Sequence, residues 1–382
     1  MAALNDFALL HDPALGRLFA TLPGARAVGG AVRDALLGIA AADVDLAVAM
    51  PPDQTMARLA EAGIKTVPTG LAHGTITAVI AGKGYEITSL RHDLSTDGRH
   101  AVVAFTDDWR KDAARRDFTI NAMSMDAGGH IFDYFGGEAD LRAGRVRFVG
   151  DAAARVAEDY LRILRFFRFW ARFGRDAPDE AAIQAIRAGI AGLAQLSPER
   201  VWHELKGLLA APDPTPALQW MQTTGVLAAL LPGGADPARV ARLGRAEPLL
   251  RFAALADRPL QYAAPLRLSR AESARLAGYC GAIPPPVTAG DDDLRRALDL
   301  YLPEHLIGAS RLRGDLPAFQ DRVRALPRPH FPLLGRDVTA LGVPAGRGVG
   351  ALLADLRDWW RAGGCVAGRE ACLAELVLRA RG

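Results

Sequence analysis

Residues 29–38, GGAVRDALLG, and residues 43–50, DVDLAVAM, decide how this chain folds. The stretch before them, ARAV (25–28), reads as a short strand that stops at Gly29-Gly30. AVRDALLG (31–38) has helical spacing and closes on a glycine. DVDLAVAM alternates as a half-buried strand does. Together they make a β-α-β unit with a glycine turn where its first strand meets its helix. Working outward, PDQTMARLAEAG (52–63) is a helix with proline at its start and glycine at its end. TITAVIAG (75–82) and YEITSLR (85–91) are two strands separated at Lys83-Gly84, and VVAF (102–105) is a third. The first 150 residues or so are therefore an α/β mixture built on a small sheet.

Beyond them the alternation disappears. Segments rich in Ala, Leu and Arg at helical period occupy 151–173, 178–192, 197–210 and 214–228, and helices continue to Gly382. The length, 382 residues, and the 50% hydrophobic content suit more than one packed core and exclude a disordered chain. The three cysteines, Cys280, Cys365 and Cys372, show no CxxC or zinc spacing and suit a reducing compartment. No apolar run reaches the roughly 18 residues of a membrane helix. The opening MAALNDFALLHDPALGRLF has no signal-peptide pattern, so a cytoplasmic location and no membrane partner are expected. The net charge is +3 and the pI about 8.9, which is compatible with an RNA partner without requiring one.

The chemistry concentrates in the opening unit. Asp43 and Asp45, two apart on a strand, point to the same face. Two carboxylates about 4 Å apart repel by roughly 4 kcal/mol at an effective dielectric near 20. Their neighbours Val44, Leu46, Ala47 and Val48 offer no compensation, so a bound cation is the natural remedy. All-oxygen ligands suit Mg²⁺. Glu86, inside YEITSLR, is the candidate third acid of a two-ion site for phosphoryl transfer. Upstream, Gly29 and Gly30 open a helix, where bare backbone N–H groups bind anions. Arg33 adds a forked phosphate contact and Asp34 orients it or caps the turn.

GGAVRDALLG followed by DVDLAV resembles the head of the nucleotidyltransferases of the DNA polymerase β superfamily. More narrowly, the chain is similar to the class II tRNA nucleotidyltransferases (CCA-adding enzymes) and the related bacterial poly(A) polymerases. The matching motifs span most of residues 25–210. The resemblance implies an α+β nucleotidyltransferase head at 1–148 with a small mixed sheet, followed by an elongated all-α remainder. That remainder divides into a helical neck with a nucleobase-selecting template at 149–210, a body at 211–310 and a tRNA-binding tail at 311–382.

Further motifs follow in order. In RRDFTINAMSMD (115–126), Arg115, Arg116 and Asp117 precede an expected apolar helix that Asp117 would cap. The resemblance implies that Arg116 and Asp117 hold the ribose of the incoming nucleotide. In EDYLRILRFFRF (158–169), Asp159, Arg162, Arg165 and Arg168 are spaced by three and read as neighbours along one helix. Asp159 with Arg162 makes an acceptor–donor pair. Cytosine and adenine both present an amino donor beside a ring-nitrogen acceptor, whereas guanine and uracil reverse the polarity. One such pair therefore accepts CTP and ATP and rejects the other two, each mismatch leaving polar groups unpaired at roughly 1–3 kcal/mol. The resemblance assigns this template to Asp159 and Arg162, with Arg165 and Arg168 near phosphate. Tyr160 stands where the family usually has proline.

In SPERVWHELKGLL (197–209), Ser197 has N-cap character, and Glu199, Arg200 and Glu204 resemble a family element that braces the template helix. Residues 91–108 resemble the family's flexible loop, with a turn at Asp97-Gly98. His73, Thr75, His92 and His100 have no ligand spacing. Near the end, Gly335, Asp337 and a turn at Gly346–Gly350 resemble the family's tail, Trp359-Trp360 read as core or interface, and Arg336 and Arg347 are candidate tRNA contacts. The expected activity is Mg²⁺-dependent addition of C, C and A to the tRNA 3′ end from CTP and ATP. A poly(A) polymerase or A-adding enzyme shares nearly every motif, and an inactive RNA-binding scaffold is the alternative of a different class. The sequence leaves the oligomeric state open.

Overall fold

The structure, a computed structural model, describes residues 7–41, 43–96 and 101–381. The expected Asp97-Gly98 turn and His100 lie outside the described residues, as does the His92 side chain. The chain forms two compact units, Met1–Pro232 and Gly233–Gly382.

Among the described residues, the first unit begins with nine strands and five α-helices. The strands are β1 (Arg26–Val28), β2 (Leu46–Val48), β3 (Lys65–Gly70), β4 (Thr75–Ile80), β5 (Lys83–Ser89), β6 (Arg91–Thr96), β7 (Ala101–Phe105), β8 (Met123–Met125) and β9 (Ile131–Asp133). The helices are α1 (Pro13–Thr21), α2 (Gly30–Leu36), α3 (Pro52–Glu61), α4 (Trp109–Ala114) and α5 (Gly137–Ala143). Seven strands join one mixed sheet in the order β3-β4-β5-β2-β1-β8-β9, and β6 and β7 pair separately. Within the large sheet β2 and β5 run parallel, with Leu46 opposite Ile87, while β1 and β2 are antiparallel. The α+β head with a small mixed sheet is as expected.

Three local readings are corrected. Strand β2 covers only Leu46–Val48, so Asp43 and Asp45 precede the regular ladder. The pairing nevertheless reaches Asp45, whose carbonyl accepts from the Val28 N–H at 3.0 Å. The β4–β5 turn is Ala81-Gly82, with φ of 50° and 80°. Ile80 pairs with Lys83, so Lys83-Gly84 lie in the ladder, not at the break. Two successive positive φ angles are what a two-residue hairpin of matching twist requires. Finally, no apolar helix follows Asp117. Residues Thr119–Asn121 make one 3-10 turn and the chain then enters β8.

Helices α6 (Ala152–Glu158), α7 (Leu161–Phe173), α8 (Glu180–Gly189), α9 (Pro198–Leu209), α10 (Thr215–Thr224) and α11 (Val226–Leu230) complete the unit. The expected helix over 151–173 is broken at Asp159, which is extended at φ −156° and ψ 107°. The Asp159 side chain accepts from the Leu161 N–H at 3.0 Å and so starts α7. The apolar face of α7 buries Phe166 against Phe118 and Phe148, with ring centroids 6.2 and 5.8 Å away. Each such buried ring contributes roughly 1.5–3 kcal/mol. This aromatic core fixes α7 to the segments that carry Asp117. Ser197 precedes α9 with Pro198 at its first position, though its side chain makes no capping bond.

The second unit is helical: α12 (Pro237–Leu243), α13 (Pro248–Leu255), α14 (Arg270–Gly281), α15 (Asp291–Leu300), α16 (Pro303–Arg313), α17 (Pro317–Ala325), α18 (Gly335–Thr339), α19 (Arg347–Ala362) and α20 (Arg369–Arg381). One core gathers Leu294, Leu298, Leu306, Phe319 and Val323. A second gathers Leu333, Val338, Leu356, Trp360 and Leu376, with Trp359 partly buried against it. Residues 347–350 open α19 rather than forming a turn, and only Gly346, at φ 152°, breaks the chain there. Asp337 accepts from the Leu334 N–H at 2.7 Å and pairs with Arg369. Among the described residues no helix is long and apolar enough to cross a membrane.

Candidate active site

The parallel β2–β5 register brings the acids together. Leu46 lies opposite Ile87, so Asp45 and Glu86, one residue earlier on each strand, are adjacent at the same end of the sheet. Val44 is buried while Asp43 and Asp45 on either side of it are exposed, as a shared face requires. Local burial raises the pKa of Asp45, and the charges of Glu86 and Asp43 raise it further against the pull of Arg116. An oxygen-only donor set in mutual repulsion fits a hard divalent cation. Among the described residues no three acid, His or Cys side chains converge as a preformed metal cluster. That is compatible with Mg²⁺, which is commonly held by one or two carboxylates with substrate phosphates and water supplying the rest.

The glycine turn is sterically specified. Gly29 has φ 68°, and a Cβ there would lie 2.8 Å from the Arg116 Nη1. Its N–H donates to the Met123 carbonyl at 3.2 Å, tying the turn to β8. Arg33, buried on α2, donates Nε to Asp34 Oδ1 at 2.9 Å and Nη1 to Asn121 Oδ1 at 2.7 Å. Its guanidinium lies 4.4 Å from the Phe173 ring centre and 5.4 Å from that of Phe169. Burial lowers its pKa and Asp34 opposes the shift, yet a guanidinium remains charged.

From Asn121 the polar contacts run on. Its Nδ2 donates to Asp117 Oδ1 at 3.1 Å. Arg165 donates Nε to Asp117 Oδ2 at 2.8 Å and lies 3.4 Å from Glu204, which also takes Arg168 at 3.0 Å. Burial disfavours a charged Asp117, but Arg165 and the hydrogen bonds from Asn121 and Arg165 overcome it and hold the carboxyl below its ordinary value. Gly207 makes room for this arrangement: a Cβ there would sit 2.7 Å from Arg168 Cδ. Arg116 lies beside Asp112 at 3.5 Å.

The expected Asp159–Arg162 pair is replaced by two others. Asp159 Oδ2 accepts from Arg200 Nη2 at 2.6 Å, and Arg162 pairs with Glu158 while donating to the Arg155 carbonyl at 2.8 Å. At the break Asp159 leaves the helical conformation, and each of the two side chains has a partner other than the expected one. Both still line one cavity of about 1080 Å³. Gly29, Gly30, Arg33, Arg116 and Asp117 line it from the sheet side, and Arg165, Arg168, Arg172, Phe169 and Phe173 from α7. Arg200, Gly207 and residues 210–212 close it. Asp34 supports Arg33 from behind. Asp43, Asp45 and Glu86 are not among the lining residues; the influence of Arg116 on Asp45 links the two sites.

Seven guanidiniums face the cavity, those of Arg33, Arg116, Arg162, Arg165, Arg168, Arg172 and Arg200. Such a surface takes a polyanion. Sequence reading did not single out Asn121, Phe169, Arg172 or Phe173, nor place Arg200 on Asp159. Asn121 stands four residues after Asp117 within a quoted motif, and only the 3-10 turn aims it at Arg33.

A sequence profile described as "Poly A polymerase head domain" matches residues 25–147, and one described as "Probable RNA and SrmB- binding site of polymerase A" matches 177–236. The chain is 36% identical over 360 residues to a mouse protein named CCA tRNA nucleotidyltransferase 1, mitochondrial, covering 89% of this chain and 83% of that one. Among solved structures, the Bacillus stearothermophilus CCA-adding enzyme in complex with CTP matches with a TM-score of 0.79 and 30% identity, over 100% of this chain and 98% of that one. The Thermotoga maritima CCA-adding enzyme complexed with tRNA shares the fold at a TM-score of 0.69 and 20% identity, over 98% of each chain.

Proposed function

This chain belongs to the CCA-adding tRNA nucleotidyltransferases, and from that premise we propose how its residues add C, C and A to the 3′ end of tRNA from CTP and ATP. The observation that carries the proposal is one cavity in which a glycine turn, seven guanidiniums and Asp159 converge, with Asp43, Asp45 and Glu86 close by. The triphosphate lies against the Gly29-Gly30 turn and Arg33, which Asp34 and Asn121 hold in place. Arg116 and Asp117 meet the ribose. Asp159 and Arg162 read the amino group and ring nitrogen of C or A. Arg165 and Arg168 neutralise phosphate, and Glu204 fixes both.

Asp43 and Asp45 would hold Mg²⁺ with Glu86 assisting, and the ion would supply charge neutralisation for phosphoryl transfer. The primer 3′-hydroxyl oxygen bonds to the α-phosphorus and its proton passes to water. The bond from the α-phosphorus to the bridging oxygen breaks, its electron pair leaving with pyrophosphate. What the chain contributes is alignment and preorganised charge.

The proposal extends to a head at 1–148, a neck at 149–210, a body at 211–310 and a tRNA-binding tail at 311–382, and to a cytoplasmic location. Neither a poly(A) polymerase nor an A-adding enzyme is favoured, because the matching relatives are named as CCA-adding enzymes. The test incubates the protein with Mg²⁺ and either CTP plus ATP or each nucleotide alone. The RNAs are tRNA lacking its last three residues, tRNA lacking only the final A, and an unrelated RNA. The expected product is C, C and A on the first RNA, abolished in Asp43→Ala and Asp45→Ala. Addition of A only, or long A tails on the unrelated RNA, would replace this reading with the other family activities.

A further inference from the structure

Six of the seven cavity guanidiniums already face a carboxylate. Arg33 pairs with Asp34 at 2.8 Å, Arg116 with Asp112 at 3.5 Å, Arg165 with Asp117 at 2.7 Å, Arg168 with Glu204 at 3.0 Å and Arg200 with Asp159 at 2.6 Å, and Arg162 pairs with Glu158. Arg172 is the seventh. Among the described residues it has no carboxylate partner and no hydrogen bond; its recorded contact is with the Phe173 ring, 5.4 Å away. It is exposed on the cavity wall, one helical turn beyond Arg168.

Its position along α7 gives it a direction. Arg162, at the base-reading end, is ten residues earlier, about 15 Å of helix rise. Arg33 sits over Phe173, so the glycine turn and Arg172 share the far end of the same helix. The two guanidiniums are close enough that, beside the burial of Arg33, the positive charge of Arg172 lowers the Arg33 pKa. Two like charges at this end of the cavity, with Asp34 the one acid in ion-pair contact with either of them among the described residues, leave a local excess of positive charge and unused fork donors.

We propose that Arg172 is a further phosphate-contacting residue, which closes with Arg33 on the β- and γ-phosphates of CTP and ATP and on the pyrophosphate they become. The inference rests on the nucleotide reading of the cavity given above. Charge grows on the leaving pyrophosphate as the bond to the α-phosphorus breaks, and a fork already aimed there needs no reorganisation at that moment. Because Arg172 lies away from the base-reading end, it acts on C and A addition alike. It is not a determinant of nucleotide choice.

The test compares the full-length wild type with Arg172→Ala, Arg172→Gln and Arg172→Lys. KM and kcat are measured for CTP, ATP and tRNA, with inhibition by pyrophosphate and its binding to the Mg²⁺-loaded protein by calorimetry. Arg172→Ala should raise the KM of CTP and ATP by the same factor, about tenfold, as expected for losing one charge-assisted hydrogen bond at a partly solvated site. Pyrophosphate inhibition and binding should weaken by a similar factor, the KM for tRNA should stay within twofold, and Arg172→Lys should recover part of the loss. Arg172→Gln gives the same reading if the alanine variant melts early. A raised KM for tRNA with unchanged nucleotide and pyrophosphate constants would assign Arg172 to the RNA backbone instead, and no change in any constant would make it a solvated surface arginine. Wild-type incorporation tests the nucleotide reading itself. Pyrophosphate binding reports on Arg172 whether or not incorporation is seen.

Discussion

At the scale of single residues, Gly29 is where one methyl group does the most damage. Its positive φ and the 2.8 Å approach of a Cβ to Arg116 act together. Gly29→Ala should cost roughly 1–3 kcal/mol in backbone strain and displace Arg116 from the cavity. Thermal melting and kcat/KM check both effects, with activity expected to fall at least about tenfold. Wild-type kinetics in this variant would show that Arg116 has room to move aside. Asp117 makes a pH prediction. Its folded pKa lies below the ordinary carboxylate value of 3.8. Its contribution to stability is therefore complete above that value and is lost as the pH falls through the depressed one. The melting temperature of the wild type should drop more steeply between about pH 5 and pH 2 than that of Asp117→Asn; equal slopes would place the acid sensitivity elsewhere. The glycines and acids were legible because their chemistry depends on near neighbours. The Arg200–Asp159 pair was not, since it joins residues 41 positions apart.

Among elements, the break between α6 and α7 shapes the site most. Helical period runs unbroken through residues 151–173 in the sequence, and it is interrupted at Asp159, whose side chain bonds both the Leu161 N–H and Arg200. The hairpin turn was misplaced by one residue pair for a simpler reason: Ala81-Gly82 and Lys83-Gly84 both end on glycine, and cross-strand register decides between them. Helix α9 supports α7 through Glu204, whose side chain is 3% exposed and serves both Arg165 and Arg168. Because the two arginines it would leave behind are partly solvated, removing Glu204 costs about 1.5–3 kcal/mol, the range for hydrogen bonds to charged groups. Glu204→Ala should lower the melting temperature accordingly and raise the KM for CTP and ATP together. A change confined to one nucleotide would point to base reading rather than to support of the phosphate arginines.

For the molecule as a whole, sequence and structure agree on a mixed α/β beginning and a helical continuation. The helical second unit was legible in kind but not in detail. The glycines at 348 and 350 suggested a turn, yet they lie within α19 because Gly346 alone leaves the helical region. An RNA held through its phosphates releases counterions when it binds. Raising KCl from about 50 to 200 mM should therefore raise the KM for tRNA far more steeply than it raises KM for CTP. Parallel slopes would mean that few phosphates are contacted. One line of polar contacts has a consequence at this scale. From Asp34 it passes through Arg33, Asn121, Asp117, Arg165 and Glu204 to Arg168, each member gripping the next. A change anywhere along it leaves the adjoining member mismatched, so drift here must come as compensating pairs. Across diverged versions of this chain, neighbours on the line should vary together or stay fixed, whatever happens to the surface around them.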